Sequence, residues 1–365
     1  MRPKVLCLVQ LPPPLHGVSA CNLRVVESSV INDAFDLQVL ELRFAEGLSD
    51  VGSLSLAKLV AMMRTFFNLL GALVRFKPEI IYFTLSPTGF AFYRDAMYVF
   101  LIKLFRAKCL FHLHGKGIAS TAAGWRYWLY RLVFKGQNIV SLSERLSKDV
   151  EGVYSGKPFV VNNGIAANGI CGSDGRLRVG IPRILFLSNL VRDKGVLDLV
   201  ATLGRISRTG QKFECRIAGA SFDITSYQLQ AAIAHEGLAD QVTYIGPVYG
   251  ADKTELLRWA NIFVFPSRND AFPLVILEAM QAGLAIVASD QGGIPDILGD
   301  NAYGLLFPSG DVFAFEQQLL RLMCDEALRC ALSESACREF LQRYTLEHFE
   351  LRLKDVLTTV VSASA

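Results

Sequence analysis

The sequence has few charged residues and no apolar run that is both long and uninterrupted enough to span a membrane. Charged residues make up 19% of the 365 and hydrophobic residues 52%, with a mean hydropathy of +0.33. This composition excludes a disordered chain and predicts large apolar surfaces, either buried or lipid-facing. The two longest apolar segments, 59–76 and 96–105, are excluded as spans, because Arg64, Asn68 and Arg75 interrupt the first and the second is too short.

The sequence also lacks a CxxC pair and a GxGxxG loop after any predicted strand. The missing glycine loop disfavours a nicotinamide or flavin enzyme. Eight cysteines without paired spacing, several of them inside apolar runs, predict buried reduced thiols in a cytosolic protein. The basic and apolar start resembles a signal peptide, but it passes into a proline-rich loop without a cleavage site, so we interpret it as a first buried strand.

Positive charge is concentrated in one stretch of the chain. The net charge is +3, yet residues 51–150 hold 14 Lys and Arg against 4 Asp and Glu, whereas residues 176–365 hold 18 against 22. A basic, aromatic-rich half suits an anionic membrane surface or a phosphorylated substrate. We expect no nucleic-acid partner, since no recognised nucleic-acid motif accompanies these charges.

Short apolar runs alternate with helical patterns along the whole chain, which is typical of parallel α/β sheets with crossover helices. The glycine-rich and asparagine-rich segment 162–180 interrupts this alternation, which then restarts. We therefore predict two doubly wound, Rossmann-like domains, 1–165 and 181–345, joined by a linker at 166–180. A C-terminal helix from about 345 would pack back on the first domain. Such a pair would bind ligands in a cleft at the carboxyl ends of both sheets.

The segment 265–280, FPSRNDAFPLVILEAM, predicts a strand, a polar loop and then a helix beginning near Leu274. The unpaired N–H groups and the dipole at a helix N-terminus favour a diphosphate. A carboxylate inside the helix, Glu278, could accept hydrogen bonds from a ribose diol, and a loop carboxylate, Asp270, could do so from a sugar. The alternative is structural: Asp270 caps the helix and Glu278 faces solvent.

This segment resembles the E-x7-E signature of the retaining GT-B glycosyltransferases of family 4, with Asp270 and Glu278 in the two acidic positions. The flanking segments ANIFVFPS (260–267), EAMQAGLAIVASDQGGIPDIL (278–298) and FLSNLVRDKGVLDLV (186–200) resemble the same family. Fainter similarities follow at RIAGAS (216–221), VTYIGPV (242–248), VNNGI (161–165) and YTLEHF (344–349). The resemblance implies the GT-B fold, a nucleotide-sugar donor with UDP or GDP as its base, and no cofactor or bound metal.

The resemblance also assigns roles to individual residues. Lys194 would neutralise the donor diphosphate, Glu278 would hold the ribose, and Asp270 and His114 would contact the transferred sugar. The backbone of Gly17 would approach the phosphates or the acceptor closely. The remaining donor contacts would come from Phe272, Leu274 and Val275, through their backbone N–H groups, and from Asn189 and Arg192.

The chain departs from the family at Asn189, where an arginine is common, and Arg192 is the candidate replacement. A His112–His114 pair on one strand face could suggest a metal site, but two ligands without a third do not predict one.

The implied reaction transfers a hexose with retention to a hydroxyl of a saccharide acceptor, in the biosynthesis of a cell-surface polysaccharide such as a lipopolysaccharide or exopolysaccharide. Helices predicted at 54–76 and 122–135 mix aromatic, apolar and cationic residues, as interfacial helices do. They predict a polyprenyl-linked acceptor and peripheral contact at the cytoplasmic face of the inner membrane. The alternative is that both helices pack on their own sheet. Rival functions are a GT-B sugar-nucleotide epimerase and a non-catalytic nucleotide-sugar-binding protein.

Overall fold

A computed structural model describes residues 2–13, 17–42, 56–167 and 180–363, with the side chains of 56–58 excepted. The described chain forms two units. The first comprises Met1–Asn163 together with Glu347–Ala365, and the second comprises Gly164–Leu346. The sequence predicted boundaries at 165 and 345, and most of the predicted linker at 166–180 lies outside the described residues.

The first unit contains a six-stranded parallel sheet in the order β2-β1-β3-β4-β5-β6. Its strands are β1 Lys4–Val9, β2 Asp36–Glu41, β3 Ile80–Phe83, β4 Lys108–Leu113, β5 Asn138–Ser141 and β6 Phe159–Val160. Its helices are α1 Gly17–Glu27, α2 Ser29–Ala34, α3 Leu56–Arg75, α4 Gly89–Leu104, α5 Ile118–Thr121, α6 Trp125–Phe134, α7 Glu144–Ser147 and α15 Leu346–Ser362. Central strands such as β3 (IIYF) are buried along their whole length, because helices cover both faces of the sheet.

The second unit repeats this plan, with a parallel sheet in the order β12-β11-β10-β7-β8-β9. Its strands are β7 Arg183–Leu187, β8 Glu214–Ala218, β9 Val242–Gly246, β10 Ile262–Phe265, β11 Ala285–Ser289 and β12 Leu305–Phe307. Its helices are α8 Val196–Arg208, α9 Ser226–His235, α10 Gly250–Trp259, α11 Leu274–Gln281, α12 Ile294–Ile297, α13 Val312–Cys324 and α14 Glu326–Arg343. The prediction of two Rossmann-like parallel sheets is therefore confirmed.

Three details differ from the sequence predictions. The helical pattern at 18–31 predicts one helix, but the structure has two, because Ser28 is extended and caps α2 through the N–H of Ile31. The helical pattern from about 328 to 362 predicts one continuous tail, but the helix breaks after Tyr344, where Thr345 pairs with Ile165 in a parallel bridge. The prediction of reduced cysteines is wrong for Cys337, which is disulfide-bonded. Among the described residues, every helix is too short or too polar to span a bilayer.

Candidate active site

The strand order of the second sheet brings the predicted donor residues to one place. Strands β7, β8 and β9 run to one side and β10, β11 and β12 to the other, so the order reverses between β7 and β10. Loops that leave neighbouring parallel strands at such a reversal form the usual ligand site of a doubly wound sheet. Lys194 follows β7 and Asp270 follows β10, so both lie at this reversal.

Lys194 and Asp270 form an ion pair across the two loops. The Lys194 Nζ atom lies 2.5 Å from Asp270 Oδ2, and the Ser267 hydroxyl donates to the same oxygen at 2.9 Å. The ammonium also lies 5.9 Å from the centre of the Phe265 ring. Both ionic side chains keep some exposure, 24% for Lys194 and 16% for Asp270. A ligand can therefore reach the pair without unfolding either loop.

Further bonds fix the two loops against each other. The Arg268 guanidinium donates to both carboxylate oxygens of Asp198, from Nε at 3.0 Å and from Nη2 at 2.9 Å. The Arg268 backbone N–H donates to the carbonyl oxygen of Asp193 at 2.6 Å. A bidentate Arg–carboxylate pair defines orientation as well as distance. The spacing of Lys194 and Asp270 is therefore set before a ligand arrives.

Two glycines permit this close approach of the loops. Gly195 has φ +76°, and a Cβ atom placed there would lie 2.2 Å from the carbonyl oxygen of Pro266. Gly292, in the loop after β11, has φ +55°, and its Cβ would lie 2.2 Å from the carbonyl oxygen of Asp270. Any side chain at either position would push the loops apart, since the obstructing atoms belong to the backbone.

Helix α11 begins at Leu274, where the sequence predicted it, with its N-terminus next to this pair. Pro273 occupies the N-cap position and no side chain caps the helix, so the interpretation of Asp270 as a cap is wrong. The half-buried Leu274 and Val275 supply the first backbone N–H groups, and Phe272 packs beside Tyr344, 6.2 Å between ring centres. Uncapped N–H groups and the positive end of the helix dipole favour an anion.

Glu278, in the second turn of α11, pairs with Lys253 of α10, a residue that the sequence reasoning missed. The Lys253 ammonium lies 2.7 Å from both carboxylate oxygens, but only Oε1 is aligned for a hydrogen bond. Within the described residues, the buried Oε2 atom has no hydrogen-bond partner. A carboxylate can accept several hydrogen bonds, so Glu278 retains capacity for a hydroxyl group of a ligand while it pairs with Lys253. The sequence spacing of Lys253 and Glu278 does not indicate that they pair, because the two residues lie on separate helices.

Asn189, which stands where the family commonly has arginine, and Arg192, its candidate replacement, both follow β7. Asn189 is exposed, and its carbonyl oxygen accepts from the N–H of Val191 at 2.8 Å. Arg192 begins the short 3-10 helix that ends at Lys194, and its backbone N–H donates to Asp223 at 2.8 Å. Its side chain is exposed, so the replacement by Arg192 stays a prediction.

In the first unit, His114 directly follows β4 and is half-buried beside His112, with 4.1 Å between ring centres. Tyr82 Oη lies 2.6 Å from His112 Nδ1. Burial raises the pKa of Tyr82 well above its usual value, so the hydroxyl keeps its proton. Burial, together with the neighbouring His114, lowers the pKa of His112 well below its usual value. The buried His112 ring is therefore neutral.

Other contacts hold the loop that carries His114. The Asp149 carboxylate accepts from the N–H groups of Gly117 and Ile118, both at 2.9 Å, and so fixes the start of α5. Phe349 of α15 stacks beside His112, 6.4 Å between ring centres. The described residues contain no group of three or more His, Cys, Asp or Glu side chains placed to hold a metal ion.

Gly17 is the exposed first residue of α1, after β1, and residues 14–16 before it lie outside the described ranges. A Cβ atom at Gly17 would meet nothing within 4 Å, so packing within the protein does not require glycine there.

The comparisons with known proteins point to one family. Residues 175–338 match the family model described as "Glycosyl transferases group 1". The amylovoran biosynthesis glycosyltransferase AmsK of Erwinia amylovora is 34% identical over 151 residues, which are 40% of this chain and 37% of AmsK. The matched regions span between 24% and 40% of the lengths of the curated relatives.

Two solved structures extend the similarity over the whole fold. Sucrose-phosphate synthase from Thermosynechococcus elongatus has a TM-score of 0.78 at 15% identity, covering 99% of this chain and 100% of that one. Anabaena Alr3699/HepE in complex with UDP has a TM-score of 0.75 at 18% identity, covering 98% and 100%. At such identities the likeness shows the fold alone, which is the predicted GT-B class.

Proposed function

We propose that the protein is a retaining hexosyltransferase, since residues 175–338 match the family model described as "Glycosyl transferases group 1". It moves a sugar from a nucleotide-diphosphate donor to a hydroxyl of a saccharide acceptor. The observation that carries this proposal is the grouping in the second unit of Lys194, the uncapped start of α11, and Glu278, whose Oε2 accepts no hydrogen bond from the described residues. Together they offer a cation and amides for a diphosphate and a carboxylate for a ribose diol.

In this proposal the donor diphosphate lies between Lys194 and the backbone N–H groups of Phe272, Leu274 and Val275. Glu278 accepts from the ribose hydroxyls, and Asp270 accepts from a hydroxyl of the transferred sugar. The diphosphate must share Lys194 with Asp270, which now holds the ammonium at 2.5 Å. Crystal structures of HepE contain UDP and UDP-glucose, which favours a UDP-sugar over a GDP-sugar as the donor.

The chemical step forms a bond from the acceptor oxygen to the anomeric carbon while the bond from that carbon to the diphosphate breaks. Attack comes from the face that the diphosphate leaves, so the configuration is retained, and the acceptor proton passes to the departing phosphate oxygen. Lys194 and the dipole of α11 stabilise the negative charge that grows on this oxygen. Positioning and electrostatics therefore supply most of the catalysis, with no cofactor in the scheme.

We assign the reaction to the biosynthesis of a cell-surface polysaccharide, with a lipid-linked saccharide as acceptor. AmsK is named for amylovoran biosynthesis, which supports the polysaccharide assignment. The first unit supports the lipid: on α6, the side chains of Trp125 and Trp128 are 63% and 67% exposed and lie next to Arg126 and Arg131. Exposed tryptophans with cations suit a peripheral site on an anionic membrane, here the cytoplasmic face of the inner membrane.

The first test is thermal stabilisation by a panel of nucleotides and nucleotide sugars, comparing the wild type with Lys194→Ala. A ligand at a hundred times its dissociation constant adds about 2.7 kcal/mol to stability. We expect a shift with one nucleoside diphosphate, UDP or GDP, and its loss in the variant. No shift with any member of the panel would refute the donor site.

Product analysis separates the proposal from its rivals. A transferase releases the nucleoside diphosphate and delivers the sugar to the acceptor with retained configuration. An epimerase would invert a sugar carbon or release the diphosphate without transfer, and a binding protein would leave the nucleotide sugar intact.

A further inference from the structure

An apolar groove of about 530 Å³ runs along the outer face of α4, between α3 and α6 in the first unit. Every residue that lines it is apolar or aromatic: Phe66, Tyr93, Ala96, Met97, Phe100 and Leu101, joined by Leu104 and Leu129. Helix faces of this kind normally close against a neighbour. Here the groove stays open, and at its end Leu104 is 79% exposed.

Contacts around the groove hold its three helices apart at fixed spacing. Tyr98 of α4 donates from its hydroxyl to the carbonyl oxygen of Met62 in α3 at 3.1 Å. Near the start of α4, Phe92 stacks on Tyr130 of α6 with 4.0 Å between ring centres. Near its end, Lys103 donates to the carbonyl oxygen of Lys135 at 2.9 Å. The groove is thus preformed, so an occupant need not first separate the helices.

The groove extends away from the edge of the sheet that carries His114. Its lining on α4 runs from Tyr93 to Leu104, about 16 Å at the helical rise per residue. An extended hydrocarbon chain can lie along this whole length. Next to its Tyr93 end lies Pro87, whose carbonyl oxygen accepts from the Tyr130 hydroxyl at 2.7 Å. Pro87 packs beside Gly115, the residue after His114, at the carboxyl edge of the sheet.

The charges around the groove are complementary to a phosphorylated lipid. Helices α3, α4 and α6 carry seven Lys and Arg residues but only one acidic residue, Asp95. Asp95 is fully buried, where it pairs with Arg94 at 2.7 Å and accepts from the N–H of Ser86 at 2.8 Å. Beside the Tyr93 end, Trp125 stacks on Tyr93, and the Arg126 guanidinium lies 5.9 Å from the Trp125 ring. A cation therefore lies where an apolar chain leaving the groove would carry its phosphate.

We propose that this groove binds the hydrocarbon chain of the lipid-linked acceptor. The chain lies along α4, with its phosphate at the Tyr93 end, towards Arg126. The bound chain then directs its saccharide to the sheet edge where His114 lies. This inference rests on the proposed function for the identity of the acceptor, whereas the hydrocarbon site itself is tested separately.

The test compares two probes with the same head group, farnesyl phosphate and isopentenyl phosphate, by isothermal titration calorimetry below the micelle concentration. We expect the wild type to bind farnesyl phosphate at least about tenfold more tightly, since each buried methylene favours binding. Met97→Trp fills the groove and is expected to abolish this preference. Leu132→Trp, a surface position on α6 outside the groove, is the matched control and should keep it.

Equal affinity for the two probes, or a preference that survives Met97→Trp, would overturn the inference. If Met97→Trp does not fold by circular dichroism, Leu104→Lys at the exposed end replaces it, with the same two outcomes. Binding to phosphatidylglycerol vesicles is measured in parallel and should persist in the groove variant. A matching loss of vesicle binding would assign the groove to bilayer lipids instead. UDP and GDP titrations on the same samples separate the two proposals, since they report on the second unit alone.

Discussion

Replacing Lys253 with methionine removes the ammonium that lies 2.7 Å from Glu278 while keeping an unbranched side chain of similar length. The Lys253 ammonium contacts both carboxylate oxygens of Glu278 and is aligned for a hydrogen bond with Oε1 only. If Oε2 is the acceptor for the ribose, the variant frees the carboxylate to turn away from this position. Nucleotide binding should then weaken even though Lys253 itself has no assigned contact with the nucleotide.

The size of the effect follows from the exposure of the pair, 28% for Lys253 and 23% for Glu278. A pair so placed lies between surface pairs, worth about 0.2–1 kcal/mol, and buried pairs, whose disruption costs about 3–5 kcal/mol. We therefore expect about 1 kcal/mol of lost unfolding free energy. One misplaced hydrogen bond to a charged group corresponds to about a tenfold loss of UDP affinity, or about 1.4 kcal/mol.

The assay is calorimetric titration of Lys253→Met, Glu278→Gln and the double variant with UDP and with inorganic pyrophosphate, which has no ribose. The single variants should weaken UDP binding and leave pyrophosphate binding unchanged. The double variant should lose no more than the weaker-binding single variant, because both changes disable the same ribose contact. An equal loss for pyrophosphate, or additive losses for UDP, would refute the reasoning.

Three further predictions concern backbone strain, acid stability and membrane contact. Gly195→Ala should destabilise the protein in urea by more than Gly210→Ala. Gly210 also has a positive φ, but a Cβ atom there would meet no neighbour, so that variant should cost about 1–2 kcal/mol. Equal losses would contradict the contact between the loops. Burial lowers the pKa of His112, so below about pH 6.5 the unfolded chain takes up a proton that the folded chain excludes. The free energy of unfolding therefore decreases as the pH is lowered, by up to about 1.4 kcal/mol per pH unit. His112→Asn should flatten this slope between pH 7 and 5, and an unchanged slope would contradict it. Arg126→Gln with Arg131→Gln should weaken binding to phosphatidylglycerol vesicles about 30-fold, at about 1 kcal/mol for each cation, and leave neutral vesicles unaffected; an equal loss on neutral vesicles would exclude the electrostatic contact.

The sheets could be predicted from the sequence because their strands are buried on both faces. Runs such as IIYF in β3 and IFVF in β10 are apolar throughout and end in polar loops, so their positions follow from composition alone. The helix breaks could not be predicted in this way. Thr345 ends the helical tail through its bridge with Ile165, 180 positions earlier, and local propensity carries no information about such a partner.

In the candidate site, too, the positions of some residues could be predicted from the sequence and their partners could not. The positions of Lys194, Asp270 and Glu278 follow from the loops and the helix in which the sequence places them. Their partners do not: Lys253 lies on α10, whose pattern is that of an ordinary surface helix, and nothing in its spacing indicates Glu278. The sequence does not predict the apolar groove either, because the same residues on α4 would be expected to pack against a neighbouring helix.

The division of the chain has a consequence for its synthesis. The first unit is discontinuous, since it takes α15 from beyond Leu346, whereas the second unit is one uninterrupted segment. On the ribosome the second unit can therefore complete its fold before the first, although it follows it in the sequence. A chain cut after Leu346 would leave the second unit whole and remove from the first the apolar face of Phe349, Leu353 and Leu357. Damage at the carboxyl end would then appear as a defect in the amino-terminal half.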